Sequence, residues 1–164
     1  MKTLKKLTAL SFVLFASTIA NAQDIIVKNA AGEQTVPQNP QKVVVLDFGV
    51  ADTLRALGET DKIVGFPKAG HIPTYLDEFK QDKFKDVDSL PEPAFESINE
   101  LNPDLIIAAP RQQKLLDKLK EIAPVFYVEN DYSNYYPSFQ ENVTALGKIF
   151  NKEALAKAKL DALD

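Results

Sequence analysis

The sequence predicts an α/β fold, a parallel sheet with helices on both faces. Several short runs, such as 43–46 and 105–109, are apolar at every position, the pattern of strands buried on both sides. Between these runs, apolar residues recur at helical spacing. Strand and helix patterns alternate at least four times, and such alternation builds a parallel sheet covered above and below.

In chain order, residues 25–28 and 34–36 flank a Gly-containing turn at 29–33 and read as an opening hairpin. Pro37 and Pro40 interrupt regular structure. Residues 43–46 form the first buried strand. Val50, Leu54 and Leu57 mark a helix that Gly58 ends in the position following the C-cap. Residues 63–65 give a second strand, and 72–79 a short helix opened by Pro73. The charged, proline-bearing stretch 80–93 reads as loop.

A helix beginning near Pro93 carries Phe95, Ile98 and Leu101 on one side and Glu92, Glu96 and Glu100 on the other. Asn102-Pro103-Asp104 stops it before the strand at 105–109. Leu115, Leu116, Leu119 and Ile122 mark the next helix, and Pro124 precedes a strand at 125–128. Phe139, Val143, Leu146, Ile149 and Phe150 mark a helix entered through Pro137. Residues 152–164 are rich in alanine and leucine and favour helix. They end without glycine or proline, as a helix cut in mid-pattern would.

The N-terminus carries a different signal. Lys2, Lys5 and Lys6 precede an apolar stretch at 7–16, and Ala20-Asn21-Ala22 supplies a small-x-small cleavage site. That order is the secretory signal pattern, and the stretch is shorter than the ~20 apolar residues of a spanning helix. Residues 1–22 are therefore expected to be removed after Ala22. No cysteine is present to carry a lipid anchor or form a disulfide, so a free periplasmic protein is expected. Cleavage leaves 142 residues, enough for a core, and moves the formal charge from −4 to −7. So acidic a chain is a poor partner for nucleic acid or an anionic membrane surface.

Ligands of open α/β sheets bind beyond the carboxyl ends of the strands, which here means Asp47-Phe48-Gly49, Phe66-Pro67-Lys68, Pro110-Arg111-Gln112 and 129–132. Arg55 and Arg111 are the only arginines among 19 basic residues. Arg111 follows the clearest strand and opens a helix, a position suited to an anion; the plainer alternative is a solvated or carboxylate-paired arginine. Arg55 reads as a surface charge. Lys68, Phe48 and Tyr132 each lie at a strand exit, where they line a ligand site or cover the core edge. Glu92, Glu96 and Glu100 at four-residue spacing either favour the helix start or form a docking patch. Asp86 and Asp88 read as solvated.

Catalytic patterns are missing. His71 is the only histidine, and the sequence holds no cysteine nucleophile, no G-x-S-x-G elbow and no phosphate-binding glycine loop. The residues do not point to an enzyme or to an intrinsic metal or cofactor. A secreted hydrolase fragment is the weaker competing reading.

The run from Asp86 through Ile98, continuing as Glu96-Ser97-Ile98-Asn99-Glu100-Leu101-Asn102-Pro103-Asp104-Leu105-Ile106-Ile107, resembles the N-terminal lobe of the iron-siderophore and cobalamin periplasmic binding proteins. Residues 110–114 and 117–124 are similar to the branch that binds ferric catecholates. The resemblance implies a monomeric carrier of two α/β lobes, joined by a long helix, with the ligand held between them. It implies delivery of a ferric siderophore to an inner-membrane ABC permease, the iron being held by the siderophore. Arg111 matches the N-lobe arginine that grips the anionic complex, and Glu96 matches a glutamate that docks on permease arginines. On this reading residues 23–150 are the N-lobe, residues 151–164 begin the interlobe helix, and the C-lobe is absent, so this chain alone would bind weakly. Haem, cobalamin or a ferric hydroxamate are the alternative cargoes.

Overall fold

The computed structural model describes residues 23–163; the expected signal peptide and its cleavage site lie outside them. The chain opens with an antiparallel hairpin, β1 (Asp24–Asn29) and β2 (Gly32–Pro37). Five parallel strands follow, β3 (Val43–Val45), β4 (Ile63–Phe66), β5 (Lys85–Asp86), β6 (Leu105–Ala108) and β7 (Val125–Tyr127), in the order β5-β4-β3-β6-β7. The α-helices are α1 (Phe48–Ala56), α2 (Phe95–Glu100), α3 (Leu116–Lys120), α4 (Tyr135–Ile149) and α5 (Glu153–Asp161).

The two faces of the sheet divide the core by the period of a strand. Val43, Val45, Leu105, Ile107 and Phe126 pack on one side with α1, α4, α5 and the hairpin. Val44, Leu46, Ile106, Ala108 and Tyr127 pack on the other with α2 and α3. This is the expected sheet with helices on both faces. No helix among the described residues is long and apolar enough to cross a membrane.

Local chemistry explains the boundaries. Asp47 caps α1 by accepting from Val50 N at 3.0 Å. Gly58, at φ +74°, ends it: Gly58 N–H bonds Arg55 O and Glu59 N–H bonds Leu54 O, both parts of a Schellman motif. Asn102 turns the chain at φ +47°, and the Asp104 carboxylate accepts from Gln41 N at 2.7 Å and Lys42 N at 2.9 Å. That pins the start of β3 beside β6.

Several expectations are corrected. The stretch 80–93 is not all loop, because Lys85–Asp86 pairs with β4 as an edge strand. Both residues are exposed, so no apolar pattern marked it. Asp86 is not simply solvated: its carboxylate accepts from Lys68 N at 3.2 Å and Asp88 N at 2.9 Å. The segment opened by Pro73 is a 3₁₀ helix, Thr74–Lys80. Arg55 holds it to α1, bonding Tyr75 O at 2.5 Å, Glu78 at 3.3 Å and also Asp52. Helix α2 spans only Phe95–Glu100, so Glu92 lies in the preceding turn with Ser89 and the three glutamates do not share one helix face. Helix α5 packs against α4. Gly147 makes that approach possible, since a Cβ there would sit 2.7 Å from Ala156 Cβ.

Candidate functional site

The strand order places a switch point between β3 and β6. From β3 the chain runs outward to β4 and β5, then crosses back to β6 on the other side. The loops leaving β3 and β6 therefore diverge, opening the crevice where α/β sheets hold ligands. Phe48 stands at one lip and Arg111 at the other.

Arg111 is exposed and makes no hydrogen bond or ion pair among the described residues. It sits in the first turn of a 3₁₀ helix, Pro110–Leu115. Its neighbour Gln112 is fully buried. Gln112 Oε1 accepts from Ala109 N at 2.9 Å, and its Nε2 donates to Leu90 O. One amide thus joins the Arg111 turn to the loop before α2. No sequence pattern separates this glutamine from Gln113 beside it.

The other expected site residues reach the same carboxyl edge but are used differently. Phe48 is half-buried and stacks on Phe66 with ring centroids 5.3 Å apart; Phe66 continues onto Phe79 and Phe79 onto Phe84. Phe48 is thus the outer ring of a core stack. Lys68 donates through Nζ to Lys80 O at 3.2 Å and Gln81 O at 2.9 Å, so its charge is already engaged by backbone carbonyls. Tyr132 is 84% exposed and stacks on Tyr135 at 6.2 Å. Glu96 is exposed in the first turn of α2. Because α2 carries the crossover back from β5 to β6, that turn also lies toward the carboxyl edge, on the side of the loop that Gln112 holds.

Beyond β7 lies a polar basin of about 430 Å³, lined by Glu129, Asn130, Asp131, Tyr132, Ser138 and Glu141 among others. The hydroxyl and N–H of Ser133 bond Asp131 and hold its carboxyl below the usual range. No set of three His, Cys, Asp or Glu among the described residues could hold a metal ion. The basin floor is tied to the hairpin by buried amides that the sequence did not flag. Asn142 Nδ2 donates to Glu129 O and Asn130 Oδ1, both at 2.9 Å, and Asn142 Oδ1 accepts from Asn29 Nδ2 at 2.9 Å. Nearby, the Tyr127 hydroxyl is buried without a hydrogen-bond partner among the described residues. Burial first, then the charge of Glu129, raises its pKa above the ordinary value of 10.

Chemically, this edge offers one unpaired guanidinium, exposed tyrosine rings and a rim of carboxylates. It suits binding of a ligand with an anionic part.

Residues 43–164 match the model of a family described as periplasmic binding protein. The petrobactin-binding protein YclQ of Bacillus subtilis is 46% identical over 129 residues, covering 79% of this chain and 40% of YclQ. The YclQ crystal structure superposes with a TM-score of 0.83 at 44% identity, over 87% of this chain and 50% of that one. The catecholate-siderophore binding protein VctP of Vibrio cholerae superposes with a TM-score of 0.78 at 34% identity, over 86% and 50%. The siderophore-binding protein BauB, solved with two acinetobactin molecules and ferric iron, gives 0.79 at 35% identity, over 87% and 51%. The chain spans less than half the length of the curated relatives it matches, 40% of YclQ and 44% of the ferric-anguibactin-binding protein FatB of Vibrio anguillarum. The family model covers the sheet from β3 onward together with the loops that bear Phe48, Lys68, Arg111 and Tyr132, and on that ground the chain belongs to the periplasmic binding protein family.

Proposed function

We propose that this chain forms the ligand-gripping lobe of an ABC importer's solute-binding component, and that its cargo is an anionic ferric siderophore of the catecholate type. The observation that carries the reading is Arg111: exposed, without a partner among the described residues, and set at the switch point of the sheet. A bare ferric tris-catecholate carries about three negative charges, and a guanidinium is the side chain best matched to its oxygens. The siderophores named for YclQ, VctP and BauB support the same class of cargo.

Tyr132, Phe48 and Lys68 are the proposed flanking contacts, the iron being held by the siderophore with no cofactor of the protein's own. Glu96 is proposed as the docking carboxylate toward an inner-membrane permease. The signal-like N-terminus supports a periplasmic location.

The test is calorimetry together with quenching of tyrosine emission, which is free of tryptophan background because the sequence has none. Ferric catecholates should quench, and Arg111→Ala should weaken their binding by about 10- to 100-fold. A neutral ferric hydroxamate should be little affected by the substitution. Equal loss for both, or no heat and no quenching with any catecholate even at roughly millimolar ligand, where the weak binding of a single lobe still registers, would reject the reading.

A further inference from the structure

We infer that Gln112 is a positioning residue for Arg111, fixing the turn that aims the guanidinium and clamping it to the loop before α2. The inference rests on the reading of Arg111 as the anion contact.

The geometry of the turn carries it. The residue capping the 3₁₀ helix is Ala109, which has no polar side chain to offer. Gln112 supplies the reciprocal half of a capping box, its Oε1 accepting from Ala109 N at 2.9 Å, while Gln112 N bonds Ala109 O at 2.9 Å. The other end of the same amide bonds Leu90 O, 22 residues away in sequence. Gln112 has no exposed surface, so both polar ends of the amide are satisfied inside the protein. On the other side of Arg111, Pro110 fixes its own φ and needs no hydrogen-bond partner for its nitrogen.

The Arg111 backbone is therefore held from both sides while its side chain makes no bond among the described residues. A fixed base under a free charged group lowers the ordering cost of gripping a ligand. A glutamine serving only stability would have no reason to be coupled to Arg111 in affinity, and this separates the two roles.

The test is a double-mutant cycle on the full chain, using ferric tris(2,3-dihydroxybenzoate) as probe. Gln112→Met keeps volume but removes both bonds. Gln112→Glu keeps the acceptor for Ala109 N–H and loses the donor to Leu90 O. Gln112→Met is expected to weaken the probe about tenfold, and Gln112→Glu at least as much, because its carboxylate would be buried against Leu90 O. Neither should weaken it further once Arg111→Ala is present. Relaxation of the Arg111 Nε–H should show greater mobility in Gln112→Met without any ligand. If Gln112→Met does not fold, Gln112→Asn, which keeps a neutral amide but shortens its reach, carries both measurements. Equal losses with and without Arg111, or unchanged Arg111 mobility, overturn the inference. If Arg111→Ala itself costs no affinity, the proposed cargo fails, and the mobility measurement still decides the role of Gln112.

Discussion

The side-chain amide of Gln34 pairs with Tyr127 as a sixth strand would. Gln34 Oε1 accepts from Tyr127 N at 2.7 Å, and its Nε2 donates to Tyr127 O at 2.9 Å. Strand β7 is an edge of the sheet, and an open edge is a template for unwanted pairing. One side chain from the hairpin satisfies both backbone groups there.

Gln34→Leu should therefore destabilise the protein by about 1–2 kcal/mol, the usual cost of leaving a buried donor unpaired, because Tyr127 N–H loses its acceptor while Tyr127 O keeps its bond from Asn29 Nδ2. Urea unfolding measures it, and hydrogen exchange at Tyr127 N–H should quicken. An unchanged midpoint with unchanged exchange would mean that water replaces the amide without loss.

Tyr127→Phe should be neutral or stabilising by up to about 1 kcal/mol, because it deletes a buried hydroxyl that has no partner. Its effect should also depend on pH. The folded phenol has a raised pKa, so as pH climbs past about 10 the unfolded chain loses this proton first. The stability held below that pH then drains away as the folded pKa is approached. Urea midpoints from pH 8 to 11 should fall less steeply for the phenylalanine variant than for the parent. Parallel slopes would contradict this.

Gly147→Ala sets two effects against each other. Alanine favours the helix by about 1 kcal/mol, but the new Cβ would lie 2.7 Å from Ala156 Cβ, with Glu153 Cα and Lys152 O each at 3.4 Å. Overpacking of this kind costs about 1–3 kcal/mol, and neither the Ala156 methyl nor the backbone beside it can swing away. Net destabilisation is expected in thermal melts, with part of it recovered by adding Ala156→Gly. A rise in melting temperature for Gly147→Ala alone would show that α5 shifts freely.

Lys68 and Arg111 should separate cleanly. Lys68 already bonds two carbonyls of the 80–81 turn, so Lys68→Met should lower stability by about 0.5–1 kcal/mol and cost less ferric catecholate affinity than Arg111→Ala. A larger affinity loss at Lys68 would make it the principal anion contact.

Much of this was legible in the sequence because burial on both faces leaves unbroken apolar runs. Residues 43–46 and 105–109 were read as strands for that reason, and the Schellman end of α1 was announced by Gly58. Strand β5 was not legible, since Lys85 and Asp86 are exposed and join the sheet only through backbone bonds to β4. In the site, Arg111 was legible as a rare residue at a strand exit. Gln112 was not, because its amide bonds Leu90 O, 22 positions away, which no local pattern connects to it. Asn29 and Asn142 meet across 113 positions and were invisible for the same reason.

The amides that lock the hairpin have a consequence for the order of events in folding. Asn29 bonds Tyr127 O across 98 positions and Asn142 across 113, so the hairpin can dock only after the chain has been made through α4. Such distant pairings close slowly. In a polypeptide emerging from its N-terminus, β1 and β2 would wait as an undocked ribbon, with Val27 and Val36 uncovered, until α4 arrives. The interval before that closure is when such a chain is most open to misassociation or to capture by a chaperone.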